Sequence, residues 1–296
     1  MPSMNARLEK ALRTVKRSMW MVPPLRQIRR QGYLARQARF ASEGRAIDAD
    51  LLPILADLQS GGAAVVRAEQ LATVLGPDVA DVIREMRAMI DGGGLPAGSP
   101  PIQSDALLTR SLKTYAIGLH DKVLDLAEAC LGDHCFYLGA TVKREISDGI
   151  ARGTRQWHID REDERMLRII IYLSDVDAGC GPFEYVEAPL SAEAAAREGY
   201  KSGLISDLKM EALVDRKKWN AFEGKCGDAI IFDGCNIFHR AQPPATTDRL
   251  ALTLSWSSRN PLEIHRTGRL THANRSRLVA GQSARVQASV PPAANG

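Results

Sequence analysis

The segment Gln156-Trp157-His158-Ile159-Asp160, answered far along the chain by Phe238-His239-Arg240 and then by Arg249, restricts what this chain can fold into more than any other feature. In an extended strand successive side chains alternate faces, so His158 and Asp160 project from one face and Ile159 from the other. For His239 to join them, the end of the strand-like run 227–233 must come alongside the first strand, as a barrel or sandwich allows. Two neutral imidazoles and one carboxylate on one face form the facial triad that holds non-haem Fe(II) with coordination positions left open.

Arg249 suggests what fills two of those positions. It opens the run Leu250-Ala251-Leu252-Thr253-Leu254-Ser255-Trp256, which has the pattern of a strand with one buried face. A guanidinium is permanently charged and offers a fork that matches a carboxylate, so it suits the far end of 2-oxoglutarate. The other end of that co-substrate can chelate the metal, leaving the last position for water or O2. The residues thus point to an Fe(II)- and 2-oxoglutarate-dependent oxygenase, with His158, Asp160 and His239 as catalytic metal ligands.

Two further pairs of residues offer candidates for the co-substrate. Lys143 and Arg144 lie on an expected strand over 136–146, so one of them faces inward and offers a cation; a rim salt bridge is the competing reading. Thr253 or Ser255, on the same strand face as Arg249, is a candidate to support the co-substrate carboxylate.

The stretch Q-W-H-I-D-R-E-D-E-R-M-L-R-I-I-I-Y-L-S-D-V-D-A-G-C-G-P-F-E-Y-V, with G-D-A-I-I-F-D-G-C-N-I-F-H-R and Arg249, resembles the phytanoyl-CoA dioxygenase family over roughly residues 134–258. That resemblance implies a double-stranded β-helix, iron on His158, Asp160 and His239, and 2-oxoglutarate on Arg249. Two departures stand out. Where members often run into a Pro-Gly-Ser-His turn, this chain has Glu187-Ala188-Pro189-Leu190-Ser191, and where some related oxygenases place a serine two residues after the arginine, it has Ala251. Halogenating relatives replace the carboxylate ligand by a small residue; Asp160 is kept, which favours hydroxylation. The expected reaction is hydroxylation of an unactivated C–H bond of a small-molecule or lipid- or saccharide-linked substrate, with 2-oxoglutarate converted to succinate and CO2. A zinc hydrolase or isomerase, or a non-catalytic binding module, on a similar β-sandwich are the competing readings.

The chain is long enough for one large core, with 296 residues and 45% hydrophobic content. The expected fold is mainly β with helical decoration: a double-stranded β-helix, jelly-roll or cupin-like, over 46–280, buttressed by N-terminal helices. Ser104 to Leu131 has the spacing of one strong helix, 191–218 reads as a helical insertion suited to a substrate lid, and 281–296 reads as a disordered tail. Met166 to Ser174 is nearly all apolar, the pattern of a strand buried on both faces. Five cysteines without a Cys-x-x-Cys spacing indicate neither a disulfide framework nor a zinc site, and suit a reducing cytoplasm.

Charge is concentrated at the start. Residues 1–45 hold eleven Lys and Arg against two Glu, a balance of +9, so the remainder carries −5 of the +4 total. Leu8, Leu12, Val15 and Met19 recur at helical spacing among these cations, and residues 26–39 form a second basic helical stretch. Such an arm can pack on the domain with its charges solvated or lie on an anionic membrane surface at the inner face; nucleic acid is not expected. Its arginine-rich, acid-poor composition also resembles an organelle transit peptide. Tyr200, Lys201 and Trp219 are candidates for substrate contact, and Trp157 is expected to pack on the face opposite His158. Asp175 and Asp177 read as turn residues, as does Asp233; His120, His134, His265 and His272 read as structural or surface.

Overall fold

Strand alternation builds the centre of this fold. In the computed structural model, which describes residues 22–262, 264 and 269–293, nine strands form two antiparallel sheets. They are β1 (Ala63–Val66), β2 (Ile102–Gln103), β3 (Cys135–Glu145), β4 (Met166–Tyr172), β5 (Phe183–Tyr185), β6 (Asn220–Phe222), β7 (Ala229–Asp233), β8 (His239–Ala241) and β9 (Arg249–Ser258). The large sheet has the order β1-β7-β4-β9-β3-β2, and the small one β6-β5-β8. The two face each other, as expected for a double-stranded β-helix.

One face of the large sheet is apolar throughout. Leu167, Ile169 and Ile171 of β4, Ala229 and Ile231 of β7, Leu252, Leu254 and Trp256 of β9, and Ala140 and Val142 of β3 pack into one core with the helices. The alternate residues Ile230, Phe232 and Tyr172 meet Phe183 and Phe222 of the small sheet in a second core. Tyr172 stacks on Phe222 with ring centroids 4.8 Å apart, and its hydroxyl donates to the Phe222 carbonyl at 2.7 Å. β4 therefore does not read as a strand buried against hydrocarbon on both faces: Arg168 points to the small-sheet side, in the middle of its apolar run.

A bulge decides which residues of β3 face which way. Tyr137 pairs with Trp256, but Gly139 pairs with Ser255, so Leu138 is an extra residue and the face parity of β3 switches there. Cys135 and Tyr137 precede the switch and lie in the helix-side core; after it, the even-numbered Ala140 and Val142 do. Gly139 has φ +102°, a conformation that glycine adopts without strain, and an added Cβ would stand 2.2 Å from the Ser104 hydroxyl.

The helices are α1 (Pro23–Ser42), α2 (Leu52–Ser60), α3 (Leu71–Leu75), α4 (Val79–Met89), α5 (Ser104–Arg110), α6 (Leu112–Ala116), α7 (Asp121–Leu131), α8 (Ala188–Glu198), α9 (Asp207–Leu213), α10 (His272–Val279) and α11 (Ala284–Ser289). The single helix expected over 104–131 is corrected to three. Ser111 is extended and its side chain accepts from the Thr114 N–H, so it caps a new helix. Gly118 lets the Tyr137 ring approach where a Cβ would be 2.2 Å away, and His120 is extended before α7. Between β5 and β6 lie α8 and α9, in the region read as an insertion.

The expected basic helix over 8–19 lies outside the described residues. The second basic stretch is helical, in α1, which Pro23-Pro24 opens, a position where the missing N–H costs nothing. The charges of α1 reach the domain: Arg29 pairs with Asp163 at 3.2 Å and Glu164 at 3.1 Å, and Arg36 with Asp133 at 2.7 Å. No helix among the described residues is long and apolar enough to cross a membrane. The reading of 281–296 as disordered is also corrected for the described part. α11 is capped by Ser283, Val286 and Val290 enter the helix-side core, and Arg285 pairs with Asp125 at 2.6 Å and Glu128 at 2.8 Å. Two buried valines, each contributing about 1.5–3 kcal/mol when fully removed from water, outweigh a polar composition.

Candidate metal centre

Residues 157–160 are extended but belong to no named strand; single bridges join Trp157 to Ile205 and His158 to His239. The His158 N–H donates to the His239 carbonyl at 3.1 Å and the His239 N–H to the His158 carbonyl at 3.0 Å. This reciprocal pair sets the two side chains next to each other, with ring centroids 4.4 Å apart. Because His239 is also the first residue of β8 and pairs with Tyr185, the ligand segment extends the small sheet by one bridge. Asp160 is fixed two residues on, its N–H donating to the Gly234 carbonyl at 2.8 Å.

The imidazoles have their ligating nitrogens available. Nδ1 of His158 lies 2.8 Å from the Gln156 carbonyl, and Nδ1 of His239 lies 3.1 Å from the Ile237 carbonyl. A carbonyl only accepts, so each Nδ1 carries the proton and each Nε2 keeps its lone pair. The two Nε2 atoms stand 3.8 and 3.9 Å from the Asp160 carboxylate oxygens. His158, Asp160 and His239 are the group of metal-binding type found among the described residues, with ligand atoms within 4.8 Å of one another. Burial, and then the neighbouring His158, push the His239 pKa well below the usual histidine value, so the ring stays neutral. Burial pushes the Asp160 carboxyl up, against the opposing pull of Arg168. A divalent cation would offset the cost of the buried Asp160 carboxylate and take up the lone pair of the neutral His239 ring.

Trp157 and Ile159 point away from this group, as alternation requires. Trp157 is fully buried and meets Trp219 edge-on at 4.8 Å, so it packs and does not reach the site.

The triad opens into a cavity of ≈ 380 Å³ between the two sheets. β9 lines it with Arg249, Ala251, Thr253 and Ser255, β3 with Thr141, Lys143 and Glu145, and β4 with Arg168 and Ile170. Phe183 and Phe232 supply apolar wall. Lys143, not Arg144, is the inward cation: Arg144 pairs with Asp248 at 2.7 Å outside the cavity lining. Lys143 pairs with Glu145, which stands opposite Arg249 in the strand register and accepts from Arg155 at 2.8 Å. Burial works to raise the Glu145 pKa, but the cations Lys143, Arg155 and Arg249 hold it below the usual value. Arg249 is 6% exposed, its pKa is lowered by burial, and it donates to the Gly181 carbonyl.

Three expected substrate contacts do not reach this cavity. Trp219 packs on Trp157 and donates to the Val214 carbonyl at 3.2 Å. Tyr200 packs on Phe238, and its hydroxyl bridges the Ile159 N–H and the Gly203 carbonyl, while Lys201 is exposed. Asp177 is a turn residue, accepting from Gly179 and Cys180. Asp233 does more than turn the chain: it is 1% exposed, pairs with Arg165 at 2.7 Å and accepts from the Met166 N–H at 3.1 Å.

Sequence reasoning gave no task to Arg168, Glu162, Glu145 or Arg240. Arg168 contacts Asp160, and Arg240 is buried between Glu184, Asp207 and the faces of Trp157 and Trp219. The available signal for Arg168 was a charge inside Met166-Leu167-Arg168-Ile169-Ile170-Ile171, since a cation there must find a buried partner.

No protein-family model matches the chain, and no curated protein matches it. Solved structures similar to it include HygX from Streptomyces hygroscopicus with nickel and 2-oxoglutarate bound, at 16% identity and a TM-score of 0.49, covering 73% of this chain and 88% of that one. EctD from S. alaskensis in its apoform is similar at 17% identity and a TM-score of 0.46, covering 72% and 77%. The epimerase SnoN, in complex with Fe3+, alpha ketoglutarate and nogalamycin RO, is similar at 16% identity and a TM-score of 0.44, covering 71% and 84%.

Proposed function

We propose that this protein is an Fe(II)- and 2-oxoglutarate-dependent oxygenase, related to the phytanoyl-CoA dioxygenase family, that hydroxylates a C–H bond of a small molecule and releases succinate and CO2. The observation that carries the reading is one cavity holding both parts of such a site. At one place stand His158, Asp160 and His239 with two free Nε2 lone pairs; elsewhere on the same wall stands the buried guanidinium of Arg249. Two nitrogens and one carboxylate oxygen fit Fe(II) with open positions.

When bound, iron and 2-oxoglutarate supply the oxidising chemistry, while the protein supplies position and environment. Arg249 anchors the far carboxylate of the co-substrate, with Thr253 and Lys143 contributing from the same wall. Ile170, Phe183 and Phe232 give the cavity an apolar wall, the two phenylalanines lying against the His239 ring. Gln103, Thr141 and Thr154, beside the Lys143–Glu145 pair, favour a polar substrate over a bare hydrocarbon chain.

The test is succinate formation by Fe(II)-loaded protein after O2 is admitted to an anaerobic mixture with 2-oxoglutarate. Slow turnover without substrate is expected from the wild type and not from His239→Ala. Equal succinate from both proteins, or failure of Fe(II) and 2-oxoglutarate to bind together, would overturn the assignment and favour a zinc hydrolase or a binding module.

A further inference from the structure

Arg168 sits where a sheet has little reason to hold a charge. It lies within β4, flanked by Phe232 of β7 and Ser255 of β9, and its Nε is shut off from solvent. Withdrawing a guanidinium from water is unfavourable unless specific partners compensate it. Its partners converge on the metal-binding carboxylate. Nε stands 2.7 Å from Asp160 Oδ2, Nη2 stands 3.5 Å from Glu162 Oε1, and Nη1 donates to Ser255 Oγ at 3.3 Å. Ser255 accepts from one end of the guanidinium and the Glu162 carboxylate lies near the other, which sets Nε against Oδ2 as a close ion pair without hydrogen-bond alignment.

Oδ2 is also confined by Gly234. An added Cβ at Gly234 would lie 2.4 Å from Oδ2, and the Gly234 carbonyl holds the Asp160 N–H. Oδ1 pairs with no Lys or Arg among the described residues and stands 3.8 Å from Nε2 of His158, while Oδ2, beside Arg168, stands 3.9 Å from Nε2 of His239.

We propose that Arg168 is a positioning residue of the metal centre: it holds Oδ2 of Asp160, so that the carboxylate offers Oδ1 alone to a divalent cation. The proposal rests on the reading of His158, Asp160 and His239 as a metal centre. A carboxylate free to turn can chelate a cation through both oxygens. With two imidazoles this would occupy four positions and crowd the three that a chelating co-substrate and O2 require. Arg168 removes that option without itself touching the metal.

Co(II) serves as the probe, because its visible absorption reports coordination number and needs no turnover. Wild type, His239→Ala and Arg168→Met are titrated with Co(II) and followed by absorption and calorimetry. R168M is expected to show the weaker, shifted absorption of a higher-coordinate ion, as the freed carboxylate chelates through both oxygens, with a changed Co(II) affinity. Arg168→Lys, which keeps a cation beside Oδ2, should restore part of the wild-type spectrum. Wild-type affinity and spectrum in folded R168M overturn the proposal. Should R168M not fold, Glu162→Gln combined with Ser255→Ala loosens the guanidinium in place. That double variant should shift the spectrum in the same direction, and an unchanged spectrum there is equally fatal. If wild type and H239A take up Co(II) alike, the metal-centre reading itself fails; if they differ while R168M matches wild type, only the role of Arg168 fails.

Discussion

Replacing Gly139 by alanine tests the bulge that orients the cavity wall. Two costs add. The residue has φ +102°, and holding a non-glycine residue in such a region costs about 1–3 kcal/mol. The new Cβ would also lie 2.2 Å from Ser104 Oγ, 2.9 Å from Ser104 Cβ and 3.0 Å from Tyr115 Cε2, an overpacking worth about 1–3 kcal/mol. Ser104 cannot swing aside freely, being 2% exposed with its hydroxyl donating to the Leu138 carbonyl at 3.2 Å. Gly139→Ala should therefore lose about 2–6 kcal/mol in urea denaturation, with the m-value unchanged. Adding Ser104→Ala should recover only part, because the backbone strain and the Tyr115 contact remain. If the strand relieves the strain by losing its bulge, the parity of β3 beyond it reverses, Lys143 leaves the cavity and 2-oxoglutarate affinity falls with stability. A single variant within about 0.5 kcal/mol of wild type, the range of inconsequential surface changes, would refute the argument from φ and contact.

Three further outcomes follow from the geometry. Arg249→Ala should weaken 2-oxoglutarate binding by roughly 10-fold or more, the loss of a charge-assisted hydrogen bond of about 1.5–3 kcal/mol, while leaving metal affinity near wild type; unchanged co-substrate affinity in calorimetry would move the anchor to Lys143. Asp228 accepts from the Ala68 and Lys225 N–H groups and pairs with Arg67 at 2.8 Å, and although burial works to raise its pKa, these partners lower it. A lowered folded pKa means stability that is present above the ordinary value of 3.8 and lost as the pH falls through the folded value. The destabilisation of Asp228→Asn should accordingly be larger at pH 7 than at pH 3, and a penalty independent of pH would contradict the ionic account. Cys130 and Cys135 are buried, with burial raising both thiols, Cys130 to about 12. Neither should react with a disulfide reagent at pH 8 until the chain unfolds, as peptide mapping would show.

Much of the candidate site was legible because its chemistry is written locally. His158 and Asp160 are two residues apart, so any extended backbone puts them on one face, and Trp157 on the other. The same alternation placed Arg249 and Thr253 together on the cavity wall, where the structure finds them. Tyr200 and Trp219 were misjudged because an aromatic residue near a site has the same sequence signature whether it lines the cavity or packs behind it. The break at Ser111 was hidden for a related reason: the apolar spacing continues through it, and only the serine cap and the Tyr137 ring against Gly118 end the helices.

By itself, then, the sequence determined the donor set of the candidate metal centre and the face on which the residues of each extended segment group, since these depend on periods of two residues and on side-chain chemistry. The tertiary structure decided what depends on register and on distant partners. Period two says that one of Lys143 and Arg144 points inward; the bulge at Leu138-Gly139 selects Lys143. A cation at position 168 says only that a partner exists; the pairing of β4 with β7 and β9 makes that partner Asp160. The reciprocal bridge between His158 and His239 closes the site, and it forms only when residues far apart in the chain have folded against each other.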